Sequence, residues 1–234
     1  MRILAGTSGW QYKEWKGSFY PDSMSTDGML PYYADRFGAV EVNNTFYRMP
    51  KESVLRGWAE SVPEGFTFVL KASQRITHFA RLRDEAVDPL GYLLRAVAVL
   101  GDRLGPLLFQ LPPNLKKDVP RLARFLSHFP PGTRAAFEFR HPSWLENDDV
   151  LEALREHDLA LCVANTNEEE TPLHATASYG YLRLRKEAYE EGELESWAER
   201  IHAQPWTDAY VFFKHEDEGT GPKLAARFME ICSV

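Results

Sequence analysis

Two periodicities alternate along this chain from one end to the other, and that alternation restricts its fold more than any other feature. Short apolar runs suited to β-strands fall at 3–7, 39–43, 66–71, 107–111, 135–140, 159–164, 181–185 and 209–214. Between them, apolar residues recur at helical spacing, as in Leu30, Tyr33, Ala34 and Phe37, then Leu90, Leu93, Leu94 and Val97, then Leu122, Phe125, Leu126 and Phe129. Weaker stripes surround Leu55, Leu154, Trp197 and Phe228, whereas 168–178 carries no clear helix. Asp88-Pro89 reads as a capping Asp followed by Pro at the first helical position. Eight strand–helix units predict an α/β chain forming a single (β/α)8 TIM-barrel-like domain over residues 1–234. A doubly wound open sheet is the alternative.

Composition narrows the functional classes. The formal net charge of −7 argues against a broad nucleic-acid footprint or attraction to anionic membranes. Cys162 and Cys232, with no metal-type or redox-type spacing, suit reduced thiols in a cytoplasmic protein. No apolar run suits a signal peptide or a membrane span.

Side chains alternate across a strand, so parity sorts each strand into a helix-facing and a lumen-facing set. The polar set is Glu41, Lys71, Gln110, Glu138, Arg140, Arg183 and Arg185, mostly near the C-terminal ends of their strands. Barrel enzymes build their sites at that end. Its cations outnumber its carboxylates, which predicts a basic pocket for a small anionic molecule inside an acidic protein. Internal ion pairs, Glu138 with Arg140 or Glu41 with Lys71, are the competing reading. Aromatic residues crowd the loops after strands: Trp10, Tyr12, Trp15, Phe19 and Tyr20, then Phe46 and Tyr47, then Trp144. Such rings either stack on a ligand or cap the barrel as a small second core.

Known motifs give little. Gly6-Thr7-Ser8-Gly9 matches no dinucleotide, Walker A or nucleophile-elbow pattern. The run from His215 to Glu218 is rich in metal-ligand types but cannot form a shell by itself.

Several segments together resemble the YecE-like family, domain-of-unknown-function family seventy-two. They are Gly6-Thr7-Ser8-Gly9-Trp10, Trp15-Lys16-Gly17, Phe19-Tyr20-Pro21, Val40-Glu41-Val42-Asn43 with Thr45-Phe46-Tyr47, Phe109-Gln110-Leu111-Pro112-Pro113, and Glu138-Phe139-Arg140-His141-Pro142-Ser143-Trp144. The resemblance spans nearly the whole chain and implies a TIM-barrel-like fold and no particular reaction. The chain departs from the family pattern at Asn165, where Asp is common, and at Phe213-Lys214-His215-Glu216, where Phe-Asn-Asn-Asp is common.

Three functional expectations follow. The first is an enzyme of lyase, isomerase or hydrolase type acting on a small anionic, sugar-like or phosphorylated metabolite. In it Glu41 and Glu138 act as acid and base, and Lys71 polarises a carbonyl or forms a Schiff base. Arg140, Arg183 and Arg185 hold the anion, Asn43 and Gln110 orient hydroxyls, and Trp10 and Trp144 stack, with Tyr47, His141 and His215 completing the contacts. This reading needs no cofactor and no metal. The second is metal-dependent chemistry on a sugar or phosphodiester through Glu41, Glu138, His141 and His215. The third is a non-catalytic module for nucleotides or single-stranded nucleic acid, which the net charge disfavours. Oligomeric state is not legible.

Overall fold

A computed structural model describes residues 1–214 and 218–233. Its strands are β1 (Arg2–Thr7), β2 (Ala39–Val42), β3 (Thr67–Leu70), β4 (Leu107–Gln110), β5 (Ala135–Glu138), β6 (Ala160–Asn165), β7 (Tyr179–Leu184) and β8 (Asp208–Phe213). The helices are α1 (Thr26–Ala34), α2 (Glu52–Glu60), α3 (Val87–Val97), α4 (Val119–Leu126), α5 (Asp149–Glu156), α6 (Glu191–His202) and α7 (Thr220–Cys232). Each expected strand is present. The segment between β6 and β7 has no helix among the described residues.

Every strand pairing is parallel. β1, β8, β7, β6, β5 and β4 form a continuous arc, and β2 pairs with β3. Single bridges close the ring, Ser8 to Glu41 between β1 and β2, and Lys71 to Leu108 between β3 and β4. The result is a (β/α)8 TIM-type barrel. At the first seam Gly6 permits the close approach, since a Cβ there would lie 2.1 Å from the Ala39 carbonyl oxygen. The Tyr33 hydroxyl of α1 spans the same seam, accepting from the Thr7 N–H at 2.8 Å and donating to the Ala39 carbonyl at 3.1 Å. It satisfies backbone groups that the open ladder leaves without a strand partner.

Two cores result. The outer one packs helices on the barrel through Val40, Phe68, Phe109 and Phe137, and includes Leu30, Leu93 and Phe125 of the helical stripes. The inner one fills the lumen with Leu4, Ala39, Val69, Leu108, Ala136, Cys162, Tyr181, Tyr210 and Phe212. This division follows the alternation of side chains along the strands.

One local expectation is corrected. Asp88 does not cap α3 but lies in its first turn, because the 3-10 turn Asp84–Ala86 leads directly into the helix and Ala86 takes the cap position. Cys162 is buried in the lumen, and Cys232 is a free thiol on α7. No helix of the described residues is long and apolar enough to cross a membrane.

Candidate active site at the C-terminal mouth of the barrel

The upper layer of the lumen is polar because the C-terminal ends of β2, β4, β5 and β7 each direct a charged or amide side chain inward. Arg183 lies at its centre, with a side chain only 2% exposed. It donates from Nη2 to Glu41 Oε1 at 2.9 Å and from Nη1 to Glu138 Oε2 at 2.6 Å. One guanidinium therefore bridges two buried carboxylates. Glu41 Oε1 also accepts from Ser8 Oγ at 2.7 Å and Asn43 Nδ2 at 3.0 Å, while Oε2 accepts from the Tyr181 hydroxyl at 2.6 Å. Glu138 Oε1 accepts from Gln110 Nε2 at 2.8 Å and Arg140 Nε at 3.0 Å. Gln110 Oε1 in turn accepts from Lys71 Nζ at 2.8 Å. A continuous chain thus runs from Lys71 through Gln110, Glu138 and Arg183 to Glu41.

These contacts set the charge states. Burial by itself would raise the Glu41 carboxyl, but the charge of Arg183 and the hydrogen bonds from Tyr181, Arg183 and Ser8 outweigh it and hold the group below its ordinary value. Burial opposes ionisation of Glu138 in the same way, and Arg183, Arg140 and Gln110 bring it down to about 2. Both groups are carboxylates at neutral pH. Lys71 goes the other way. Burial and then the charge of Arg183 lower its amine to about 8, despite the opposing pull of Glu138 and Glu41. Its ammonium lies over the Phe46 ring, 4.3 Å from the centroid.

Two cations sit further out. Arg140, whose side chain is 35% exposed, pairs with Glu138. Arg185 is half-buried, and its Nε is shielded from solvent without a hydrogen-bond partner. Burial and the neighbouring Arg183 charge both lower its affinity for a proton, although a guanidinium stays charged at neutral pH. Glu138, Arg140, His141 and Arg185 line an open cleft of about 580 Å³. The outer wall of that cleft carries the exposed Glu168 and Glu169, together with Glu170. Glu170 is already bonded to Arg200 and to Asn165.

The sequence-predicted set divides. Glu41, Lys71, Gln110, Glu138, Arg140 and Arg183 share one hydrogen-bond network, and Arg185 adjoins it. The Glu138–Arg140 pair forms, but Lys71 bonds the Gln110 amide rather than Glu41. Asn43 joins the network through Glu41 and, with Trp10, also lines a different cleft, of about 570 Å³, between the first loop, α1 and α2. Trp10 is buried there, edge-on to Trp58 at 5.2 Å. Trp144 is not a ligand platform. It is 1% exposed, stacks on Phe139 at 4.7 Å and donates Nε1 to the Leu115 carbonyl at 2.7 Å. Tyr47 points outward, 75% exposed, while Phe46 turns in. His141 caps the turn that follows β5, accepting from the Ser143 N–H at 3.2 Å. His215 lies outside the described residues.

Three participants were not predicted. Ser8 and Tyr181 share the lumen-facing parity of β1 and β7, and that parity was sufficient to find them. His78 follows β3 in a π-helical turn, Arg75–Phe79, and meets the Phe46 ring edge-on at 4.9 Å. Burial, then the charges of Lys71, Arg140 and Arg81, lower its pKa. No local motif marks it. Asn165 is structural, accepting from the Tyr189 hydroxyl at 2.7 Å and donating to Glu170 at 3.0 Å. Among the described residues no group of three or more His, Cys, Asp or Glu side chains is arranged to hold a metal ion.

The fold and this layer of charge define a parallel β/α barrel whose C-terminal loops surround a polar, charged mouth. Within that class the chain belongs to the family described as "Protein of unknown function DUF72", which matches residues 4–234. It is 28% identical to the UPF0759 protein YecE of Escherichia coli strain K12, over 86% of this chain and 84% of that one. It is 23% identical to the UPF0759 protein YunF of Bacillus subtilis strain 168, over 99% and 95% of the two chains. Among solved structures, a DUF72 family protein from Thermotoga maritima superimposes with a TM-score of 0.85 at 25% identity, with both chains fully covered.

Proposed function

We propose that this protein is an enzyme that binds a small anionic metabolite at the C-terminal mouth of the barrel and moves a proton with Lys71. One observation carries this reading: Arg185 is a half-buried cation beside Arg183 and Arg140, with its Nε closed off from solvent and bonded to nothing. Collecting buried like charges is costly unless a counter-charge arrives. An anion seated between Arg140 and Arg185 supplies it, and planar guanidinium groups suit carboxylate or phosphate oxygens.

The roles expected for the two glutamates change in this reading. With their carboxyls held low by Arg183 and its neighbours, neither serves as a proton donor near neutral pH. Glu41 holds Arg183 from below. Glu138 positions Gln110 and Arg140 and keeps negative charge near Lys71. The titrating group suited to acid–base work is Lys71, whose amine at about 8 is close to working pH. His78 and Phe46 border it.

A high-resolution crystal structure grown in sulfate or phosphate tests the proposal. Tetrahedral density bonded by both Arg140 and Arg185 supports it. A mouth filled with water alone, with Arg185 turned onto Glu168 or Glu169, contradicts it.

A further inference from the structure

Lys71 has a second distinguishing feature besides its position. Its ammonium forms no ion pair among the described residues. Its hydrogen-bond partner is the neutral oxygen of Gln110 at 2.8 Å, and the remaining support is the Phe46 ring face at 4.3 Å. Gln110 in turn is fixed by Glu138 at 2.8 Å, so the amine is aimed by a rigid amide without being neutralised by a carboxylate. Arg183 and Arg140 stand close enough to repel its charge. An amine that is partly desolvated, unpaired by any carboxylate and next to another cationic group is the arrangement that activates lysine as a nucleophile.

Resting on the anion-site reading above, we infer that Lys71 condenses with the carbonyl group of a small aldehyde or ketone that also carries a phosphate or carboxylate. Arg140 and Arg185 take the anionic end, and the carbonyl end reaches toward Lys71, which is tied to Arg140 through Gln110 and Glu138. The free amine forms a C–N bond to that carbon, its nitrogen then gives up one proton, and the carbonyl oxygen takes up one to become a hydroxyl. The resulting carbinolamine loses its hydroxyl with one further proton as water and leaves a protonated imine on Lys71. No oxidant or reductant is consumed. His78, edge-on to the same Phe46 ring, is kept in its neutral form by burial and by the surrounding cations, so it is available to carry those protons. The class of reaction implied is carbon–carbon or carbon–oxygen bond making or breaking next to a carbonyl, in which the iminium accepts the electron pair.

The experiment uses the full chain near neutral pH with cyanoborohydride and one of three probes: pyridoxal 5′-phosphate, glyoxylate or uncharged pyridoxal. Labelled lysines are identified by peptide mass mapping. A shift of the amine from 10.5 to about 8 raises its free-base fraction roughly three-hundredfold near neutral pH. Allowing for weaker intrinsic nucleophilicity, Lys71 is expected to react at least about tenfold faster than the exposed Lys51. Both anionic probes are expected to outpace pyridoxal, and the faster of the two identifies phosphate or carboxylate as the preferred anion. Lys71→Arg removes the label, and an unchanged melting temperature shows that the variant folds. Arg185→Met slows the anionic probes and leaves pyridoxal unaffected. Lys71 reacting no faster than Lys51, in protein that still binds sulfate, overturns the imine assignment and leaves the anion site standing. Selective labelling of Lys71 without sulfate binding, and with no preference for anionic probes, upholds the nucleophile and overturns the anion site.

Discussion

The two ends of the barrel lumen use similar residues in opposite ways. At the N-terminal end Arg134 lies over the Tyr179 ring, 4.2 Å from its centroid, and donates to Asp208 at 2.8 Å and to the Tyr210 hydroxyl at 3.0 Å. The Tyr179 hydroxyl bonds both the N–H and the carbonyl of Ala135, and Arg2 adds a second pair to Asp208 at 3.1 Å. Each charge in this plug has an opposite charge beside it. At the C-terminal end Arg183 is matched by Glu41 and Glu138, but Lys71 has only an amide and Arg185 has no ion-pair partner among the described residues. The closed end reads as stability and the open end as chemistry, consistent with how barrels divide the two faces.

The largest expected effect is at Arg183. Replacing it by Met strands two buried carboxylates and is expected to cost about 3–5 kcal/mol in denaturant unfolding. Changing Glu41 and Glu138 to Gln in the same protein restores most of that loss. A neutral Arg183→Met would break the view that this bridge organises the mouth. Acid comes next. Glu138 falls from 4.5 in the unfolded chain to about 2 in the native one. Its stabilisation is therefore complete above the unfolded value and is lost as pH drops from about 4.5 toward 2, worth up to about 3 kcal/mol. Glu41 acts with the same sign. Stability measured against pH in Glu138→Gln should show a clearly shallower fall across that window.

At the opposite end, Arg134→Met removes an ion pair that solvent partly screens, with side chains 31% and 16% exposed. About 1–2 kcal/mol is expected, with no change in the response to anions. Lys71 should show the reverse sign. Its native pKa of about 8 lies below the unfolded 10.5, so holding it charged opposes folding below pH 8. Stability then rises between about pH 8 and 10.5 as the native amine stays neutral and the unfolded one does not. Lys71→Met should flatten that rise and make the protein more stable than the parent near neutral pH, where the parent holds a desolvated charge.

Most of the fold was legible because each strand is a short apolar run and parity separates its two faces. β7 begins at Tyr179, two residues before the predicted run, because Gly180 reads as a break. The glycine is there for space, since a Cβ would lie 2.4 Å from the Trp206 ring. Parity also gathered the charged set correctly, but it carries no information on how far a side chain reaches. Arg183 is long enough to bridge two strands' carboxylates, whereas Lys71 stops at Gln110. Loop aromatics were the least legible. Whether Phe46 or Tyr47 turns inward, or whether Trp144 packs on Phe139, depends on tertiary fit that no period encodes. His78 was missed for the same reason, since its ring partner Phe46 comes from the loop after another strand, β2.

In the proposed reading Arg185 serves an anion rather than the fold. Its most direct test is the sulfate-dependent rise in melting temperature, measured in the parent, Arg185→Met and Arg134→Met at constant ionic strength. Arg185→Met is expected to melt at or slightly above the parent without sulfate and to lose the sulfate response, while Arg134→Met melts lower and keeps it. An Arg185→Met protein that melts lower and still responds fully to sulfate would contradict the account.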